Sequence, residues 1–192
     1  MSQTNQDRQF LTDYFDRLAR VNVLDEGLIE KIAAARDIFM AAKQQGGRVA
    51  IVGNGGSAAI ASHIAIDLAK NGKVPATCFN DGAQITCLAN DYGFEHWLAH
   101  AVRLNLRSGD VLVAISSSGK SRNILEGVKA ARELGLKVVT LSGFLPDNPL
   151  CSLGDVNFWA NSRAYNIVET AHQFWLMSII DLIIGKAEYS AN

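Results

Sequence analysis

Two loops rich in glycine and serine carry the groups in this sequence that are best suited to holding an anion. Residues 53–57 read Gly-Asn-Gly-Gly-Ser and residues 116–121 read Ser-Ser-Ser-Gly-Lys-Ser. Glycine lets the backbone approach a ligand closely, and hydroxyl and amide groups donate hydrogen bonds to phosphoryl oxygens. The residues expected to bind a phosphate group are Asn54, Gly55, Ser57, Ser116, Ser117, Ser118 and Ser121.

Each loop taken alone has an equally good alternative as an ordinary turn whose serine caps the following helix. Two such loops in one chain favour a shared phosphate site. The lysine spacing of a nucleotide-triphosphate loop is missing, so we expect no nucleotide cofactor.

Short apolar runs and helical patterns surround both loops and must position them. Apolar runs at 49–52 and 111–115 precede the loops, and helical patterns follow them to residue 70 and over 123–134. Further strands are predicted at 74–79, 138–141 and 156–159, and further helices at 7–18, 26–45 and 166–185. Strands that alternate with helices predict a mainly parallel sheet covered on both faces, with ligands bound at the carboxyl ends of its strands.

Length and composition predict the number of domains, the kinds of binding partner and the location of the protein. A chain of 192 residues, 48% of them hydrophobic, predicts a single domain over 1–192. Because 18 basic residues balance 19 acidic ones, we expect no general attraction to nucleic acid or to an anionic membrane. Three cysteines without metal-ligand spacing favour a reducing compartment, so the cytoplasm is the expected location. No run reaches about 18 uninterrupted apolar residues, which argues against membrane spanning.

Three segments of the sequence resemble the sugar isomerase (SIS) family, and more narrowly its phosphoheptose isomerase branch. They are residues 52–57, residues 90–94 (Asn-Asp-Tyr-Gly-Phe) and residues 115–123. The resemblance runs over nearly the whole chain. It implies a flavodoxin-like three-layer αβα domain with a five-stranded parallel sheet. It also implies two leading helices, within 1–46, that contribute to oligomer packing, and a homotetramer with active sites between subunits.

The resemblance further implies an aldose–ketose isomerase that converts sedoheptulose 7-phosphate to D-glycero-D-manno-heptose 7-phosphate, a precursor of the heptose in bacterial lipopolysaccharide. Two alternatives stay open. One is a non-catalytic SIS domain that binds a sugar phosphate or regulates another protein, and the other is an isomerase for a different sugar phosphate. A sugar also needs acceptors for its hydroxyl groups, and Asp91 is a candidate, with turn formation as the competing explanation for it and for Asp81.

Three ionisable residues are candidates for the chemistry of such an isomerase. His63 falls where the family places a zinc-ligating or substrate-contacting histidine, and Asp67, one turn later, falls where it usually has a glutamate that moves the proton. Glu169 replaces a glutamine of the family, and a carboxylate in so apolar a helix needs a cation or several donors. We predict Asp67 and Glu169 as catalytic residues, and we hypothesise a zinc site made of His63, Asp67 and Glu169.

The closing helix departs from the family at further positions. Asn166 stands where the family commonly has an aspartate, and Met177 stands where it has the catalytic histidine. Helical spacing places Glu169, Gln173 and these two residues on one face and places His172 well to the side. His172 therefore does not replace the missing histidine within the chain. It either reaches the site of a neighbouring subunit or is a hydrogen-bonded residue at a helix interface, and His96 and His100 are expected to be structural.

Overall fold

Five parallel strands form the centre of the fold in the computed structural model, which describes residues 3–189. The strand order is β2-β1-β3-β4-β5, which is the flavodoxin-like order that was predicted. Every residue of β1 and of β3 is buried, because helices cover both faces of the sheet. The strands are β1 (Val49–Val52), β2 (Ala76–Cys78), β3 (Val111–Ser116), β4 (Lys137–Ser142) and β5 (Val156–Trp159).

Helices pack on the two faces of this sheet and create one apolar layer on each side. The first layer joins α2, α3 and α7 to strand residues such as Ile51 and Val113, and the second joins α5 and α6 to residues such as Leu112 and Ala114. Within the described residues the α-helices are α1 (Gln3–Val21), α2 (Glu26–Gln44), α3 (Gly56–Lys70), α4 (Gly82–Tyr92), α5 (Trp97–Asn105), α6 (Arg122–Glu133) and α7 (Tyr165–Ile184).

The connections after β1 and β3 leave the sheet in opposite directions. β1 leads through α3 to β2 on one side, and β3 leads towards β4 on the other side. The two strands pair in register from Val49 opposite Val111 to Val52 opposite Ala114, so their carboxyl ends lie side by side. This is the point at which open α/β sheets bind their ligands. The two glycine and serine loops begin there.

Helix α4 is the main element that the sequence patterns did not identify. Asp81 caps it by accepting a hydrogen bond from the backbone N–H of Gln84 at 2.9 Å, and it ends at Gly93, whose φ of 84° is left-handed. Asp91, for which turn formation was one explanation, instead belongs to this helix. Helix α5 likewise lies outside the helical ranges predicted above. Two further differences are at element ends: β2 is shorter than residues 74–79, and β3 extends to Ser116.

The two leading helices differ in how they join the core. Helix α2 buries Ala35, Phe39 and Ala42 in the first apolar layer, whereas α1 has no buried residue and packs along α7. Helix α7 has the length and the mean hydropathy, 1.4, of a helix that could cross a membrane. Its apolar character has another cause, because eight of its residues are buried inside the fold against the sheet and its neighbouring helices.

Candidate functional site

A small cavity of about 120 Å³ lies where the loops after β1 and β3 meet. Six of the eight residues predicted to bind substrate line it: Asn54, Ser57, Ser116, Ser117, Ser118 and Ser121. Ile115, Tyr165 and Glu169 complete the wall. Gly55 faces a neighbouring cavity on the other side of the first loop, and Asp91 lies on an exposed part of α4 outside both cavities.

The groups that line this cavity are suited to an anion. Ser57 is buried in the first turn of α3, where backbone N–H groups are free of helical partners. The Ser116 hydroxyl donates to the Ser121 hydroxyl at 3.1 Å, and the backbone N–H of Lys120 donates to the Ser118 hydroxyl at 3.2 Å. Among residues 3–189, the buried Ser117 hydroxyl finds no hydrogen-bond partner. A buried donor without a partner is costly, and a bound phosphoryl oxygen would satisfy it.

Glu169 forms the boundary between this cavity and a larger one. Its half-buried carboxylate packs against Gly56, so closely that a Cβ at Gly56 would overlap it. The sequence led us to expect a cation beside Glu169, but among the described residues it forms no salt bridge. The carboxylate lies instead at the first turn of α3, where the positive end of the helix dipole is favourable to it.

The larger cavity, of about 650 Å³, lies between α3 and α7. The predicted face of α7 is confirmed, because Asn166, Glu169, Gln173 and Met177 all line this cavity. From α3 it receives His63 and several small or apolar residues. The volume is within the range of about 300–1,000 Å³ that small-molecule sites occupy.

His63 and Asp67 form a close pair on α3. The Nε2 of His63 lies 3.2 Å from Asp67 Oδ2, and its Nδ1 lies 3.4 Å from the Nε2 of Gln173. This arrangement suits the tautomer in which His63 donates to Asp67 and accepts from Gln173. Asn71 also donates to Asp67, at 3.3 Å. His63 lines the larger cavity and Asp67 does not. Asp67, which is one methylene shorter than the glutamate usual in the family, is therefore linked to the cavity through the imidazole of His63.

The donor set does not fit the predicted zinc site within one chain. Zinc sites in proteins use at least three protein ligands. Among the described residues, no three His, Cys, Asp or Glu side chains are grouped so that they could hold a metal ion, and Glu169 stays outside the His63–Asp67 pair. We therefore assign no chemical step to a metal. The zinc itself stays a prediction.

His172 lies on the opposite side of α7 from the cavity. It is fully buried and hydrogen-bonds through Nε2 to the carbonyl oxygen of Ser142 at 2.9 Å. Burial lowers its pKa to about 4, so it is neutral at physiological pH. A side chain with no exposed surface cannot reach a neighbouring subunit's site, and that part of the sequence interpretation was wrong. His172 anchors α7 to β4.

The structure defines an open α/β domain of flavodoxin-like topology, with a hydroxyl-lined pocket suited to an anion at its topological switch point. Comparison with known proteins narrows this class. The SIS domain profile matches residues 13–143, about two thirds of the chain. The chain belongs to the SIS domain family, as the sequence motifs indicated.

Individual relatives point to one branch of that family. The phosphoheptose isomerase of Proteus mirabilis is 38% identical over 138 residues, which are 69% of this chain and 71% of that relative. The phosphoheptose isomerase of Rhodospirillum rubrum is 41% identical over 118 residues, 58% of this chain and 63% of that relative. A solved phosphoheptose isomerase from Neisseria gonorrhoeae superposes with a TM-score of 0.82 at 31% identity and covers 92% of this chain and 98% of its own.

Proposed function

We propose that this protein is an aldose–ketose isomerase that interconverts sedoheptulose 7-phosphate and D-glycero-D-manno-heptose 7-phosphate. The observation that carries the proposal is that the two cavities are neighbours, with Glu169 lining both. One is a hydroxyl-lined pocket of phosphate character and the other is large enough for a sugar chain. The relatives named phosphoheptose isomerase support this substrate over other sugar phosphates.

The substrate binds in this proposal with its phosphate in the small cavity and its carbon chain along α3. His63 is six residues beyond Ser57, which corresponds to about 9 Å along the helix. An open seven-carbon sugar phosphate held at Ser57 therefore extends past Glu169 towards His63. The uncharged hydroxyl groups of the pocket bind the phosphate. The combined length of the two cavities limits how long a sugar chain can bind.

Proton transfer between C1 and C2 is assigned to Glu169, with the His63–Asp67 pair beside it. The carboxylate takes a proton from C1 of the ketose, the C–H electron pair forms the C1–C2 double bond, and the C2 carbonyl oxygen gains a proton. Return of a proton to C2, with loss of the C1 hydroxyl proton, gives the aldose. Asp67, which was predicted as a base in its own right, acts here through His63 by fixing the orientation of the imidazole.

The proposal extends to the oligomeric state of the protein and to its location in the cell. We infer a cytoplasmic homotetramer that supplies heptose for surface lipopolysaccharide, with a sugar phosphate as its partner. The free thiols of Cys78, Cys87 and Cys151 suit a reducing compartment. Exposed aromatic residues on α1 suit burial against other copies of the chain.

The test is hydrogen exchange at the reacting carbons. Purified protein incubated with sedoheptulose 7-phosphate in deuterated water is expected to incorporate deuterium at C1 or C2, as followed by NMR. Glu169→Gln, which removes the base and keeps the side-chain size, is expected to lower the rate at least 100-fold, in line with the usual contribution of a general base.

A matched control separates catalysis from folding. Glu133→Gln removes an exposed carboxylate that pairs with Arg103 at 2.7 Å, far from the site, and is expected to exchange at the wild-type rate. Thermal stabilisation of the wild-type protein by the sugar phosphate without any exchange would reject the isomerase and favour a binding domain. Metal analysis of the same preparation tests the zinc prediction.

A further inference from the structure

A reciprocal pair of side-chain amides joins the two loops of the phosphate pocket. Asn54 Nδ2 donates to Asn123 Oδ1 at 2.9 Å, and Asn123 Nδ2 donates to Asn54 Oδ1 at 2.8 Å. The two residues are 69 positions apart in the sequence. Asn54 belongs to the loop after β1, and Asn123 is the second residue of α6, directly after the serine loop.

The two asparagines have different access to a ligand. Asn54 lines the phosphate pocket, whereas Asn123 is 2% exposed and lines none of the cavities described above. Each amide uses one donor and one acceptor in the pair. Asn54 therefore keeps a second N–H that is available to a phosphoryl oxygen. Asn123 is enclosed, so any effect that it has on a ligand is transmitted through Asn54.

Each loop is otherwise held by contacts of its own. Gly55 in the first loop has a φ of 53°, which only glycine adopts without strain, and the second loop is closed by the bond between the Ser116 and Ser121 hydroxyls. Among residues 3–189, the side-chain hydrogen bonds that connect the first loop to the second loop or to the start of α6 are the two of the amide pair. The pairing of β1 with β3 keeps the ends of the two strands side by side, and the amide pair is the side-chain link that joins the loops beyond those ends.

We propose that the Asn54–Asn123 pair sets the distance between the two loops, and that Asn123 is a positioning residue for phosphate binding. The inference deepens the proposed function, because it concerns the same pocket. It predicts that a buried side chain without ligand contact controls how tightly the protein holds a phosphate. The readout is binding of inorganic phosphate by calorimetry, which does not depend on turnover.

Asn123→Ala is expected to weaken phosphate binding about tenfold to thirtyfold, which corresponds to the loss of two neutral hydrogen bonds. The KM for sedoheptulose 7-phosphate should rise by a similar factor while kcat changes little, since Asn123 is not in contact with the reacting atoms. Asn123→Leu has nearly the same shape and no hydrogen-bonding group. It serves as a second variant in which the packing volume is retained, and the same weakening is expected.

A double-mutant comparison distinguishes positioning from general stability. In the Asn54→Ala background, Asn123→Ala should weaken phosphate binding by less than about twofold further, because its partner is already gone. Asn157 on β5 provides the matched control. It also makes several side-chain hydrogen bonds, to Thr140 and Gly154, at the opposite edge of the sheet from β2. Asn157→Ala is expected to lower the melting temperature and leave phosphate affinity unchanged.

The possible outcomes are separable. Wild-type affinity for phosphate in both Asn123 variants would overturn the inference, as would a full additional loss in the Asn54→Ala background. If the wild-type protein binds phosphate but does not exchange hydrogen on the heptulose, the proposed reaction fails while the phosphate measurements still decide the role of the pair. If the wild-type protein binds no phosphate, both proposals fall.

Discussion

The absence of a Cβ at Gly56 determines where the carboxylate of Glu169 can lie. The carboxylate of Glu169 occupies the space in which any other residue at position 56 would place its Cβ. Glutamate has a flexible side chain, so a clash there displaces the carboxylate at little cost to the fold. The position of the proposed base is therefore set by a glycine that carries no chemistry itself.

Gly56→Ala tests this arrangement. We expect kcat/KM for sedoheptulose 7-phosphate to fall at least tenfold, because the carboxylate is pushed away from the junction of the two cavities. The melting temperature should be kept or raised, because alanine favours the helix by up to about 1 kcal/mol. Gly82→Ala, at the first residue of α4 with open space around it, is the matched control and should retain full activity. Unchanged kinetics in Gly56→Ala would contradict the assignment.

At the level of elements, α7 is fixed to the sheet by a buried polar contact as well as by apolar packing. His172 donates to the carbonyl of Ser142, the last residue of β4, and its ring lies near that of Trp175, with centroids 6.0 Å apart. The helix carries Glu169 on one side and this anchor on the other. The orientation of the cavity-lining face of α7 thus depends on a histidine that has no part in the proposed chemistry.

This anchor makes the stability of the fold dependent on acidity. The pKa of His172 is lowered by burial from 6.5 to about 4, so the unfolded chain binds a proton at a higher pH than the folded one. Stability is expected to be full above pH 6.5 and to fall by about 3 kcal/mol as the pH drops towards 4. Urea unfolding across this range measures it. His172→Gln keeps a donor for Ser142 and should reduce this loss of stability at low pH. If the variant loses as much stability as the wild-type protein, other groups cause the loss.

Much of this architecture follows from local patterns in the sequence. The strands β1 and β3 are short apolar runs that end at glycine or serine, and the pairing of His63 with Asp67 follows from their helical spacing. Helix α4 was missed because its segment mixes polar and small residues without a clear apolar period. The contact of Asn54 with Asn123 and the place of Glu169 against Gly56 arise from tertiary packing, which no short-range pattern encodes.

At the scale of the whole molecule, helix α1 packs along α7 and leaves large aromatic side chains exposed. Phe10 and Phe15 of α1 are 65% and 67% exposed, and none of the helix is buried. Exposed aromatic residues grouped on one element mark a surface for association. In the proposed tetramer this surface lies between subunits.

Phe15→Glu is expected to shift the protein from the tetramer to smaller species, because a charge would have to be buried in the contact. Sedimentation velocity measures the change. Leu104→Glu, on α5 where the side chain is 72% exposed, is the control and should leave the assembly intact. A wild-type protein that sediments as a monomer would refute the tetramer, and a Phe15→Glu protein that stays assembled would place the contact elsewhere.

The wall that Tyr165 and Glu169 add to the phosphate pocket comes from α7, which follows both loops by more than 40 residues. During synthesis, the two loops emerge from the ribosome well before the helix that closes the pocket over them. A nascent chain that stops short of α7 has its phosphate donors but lacks the side chains that enclose them. If the proposed function holds, the pocket encloses a sugar phosphate only after α7 has docked, and the ligand then stabilises the completely folded chain over partly folded forms.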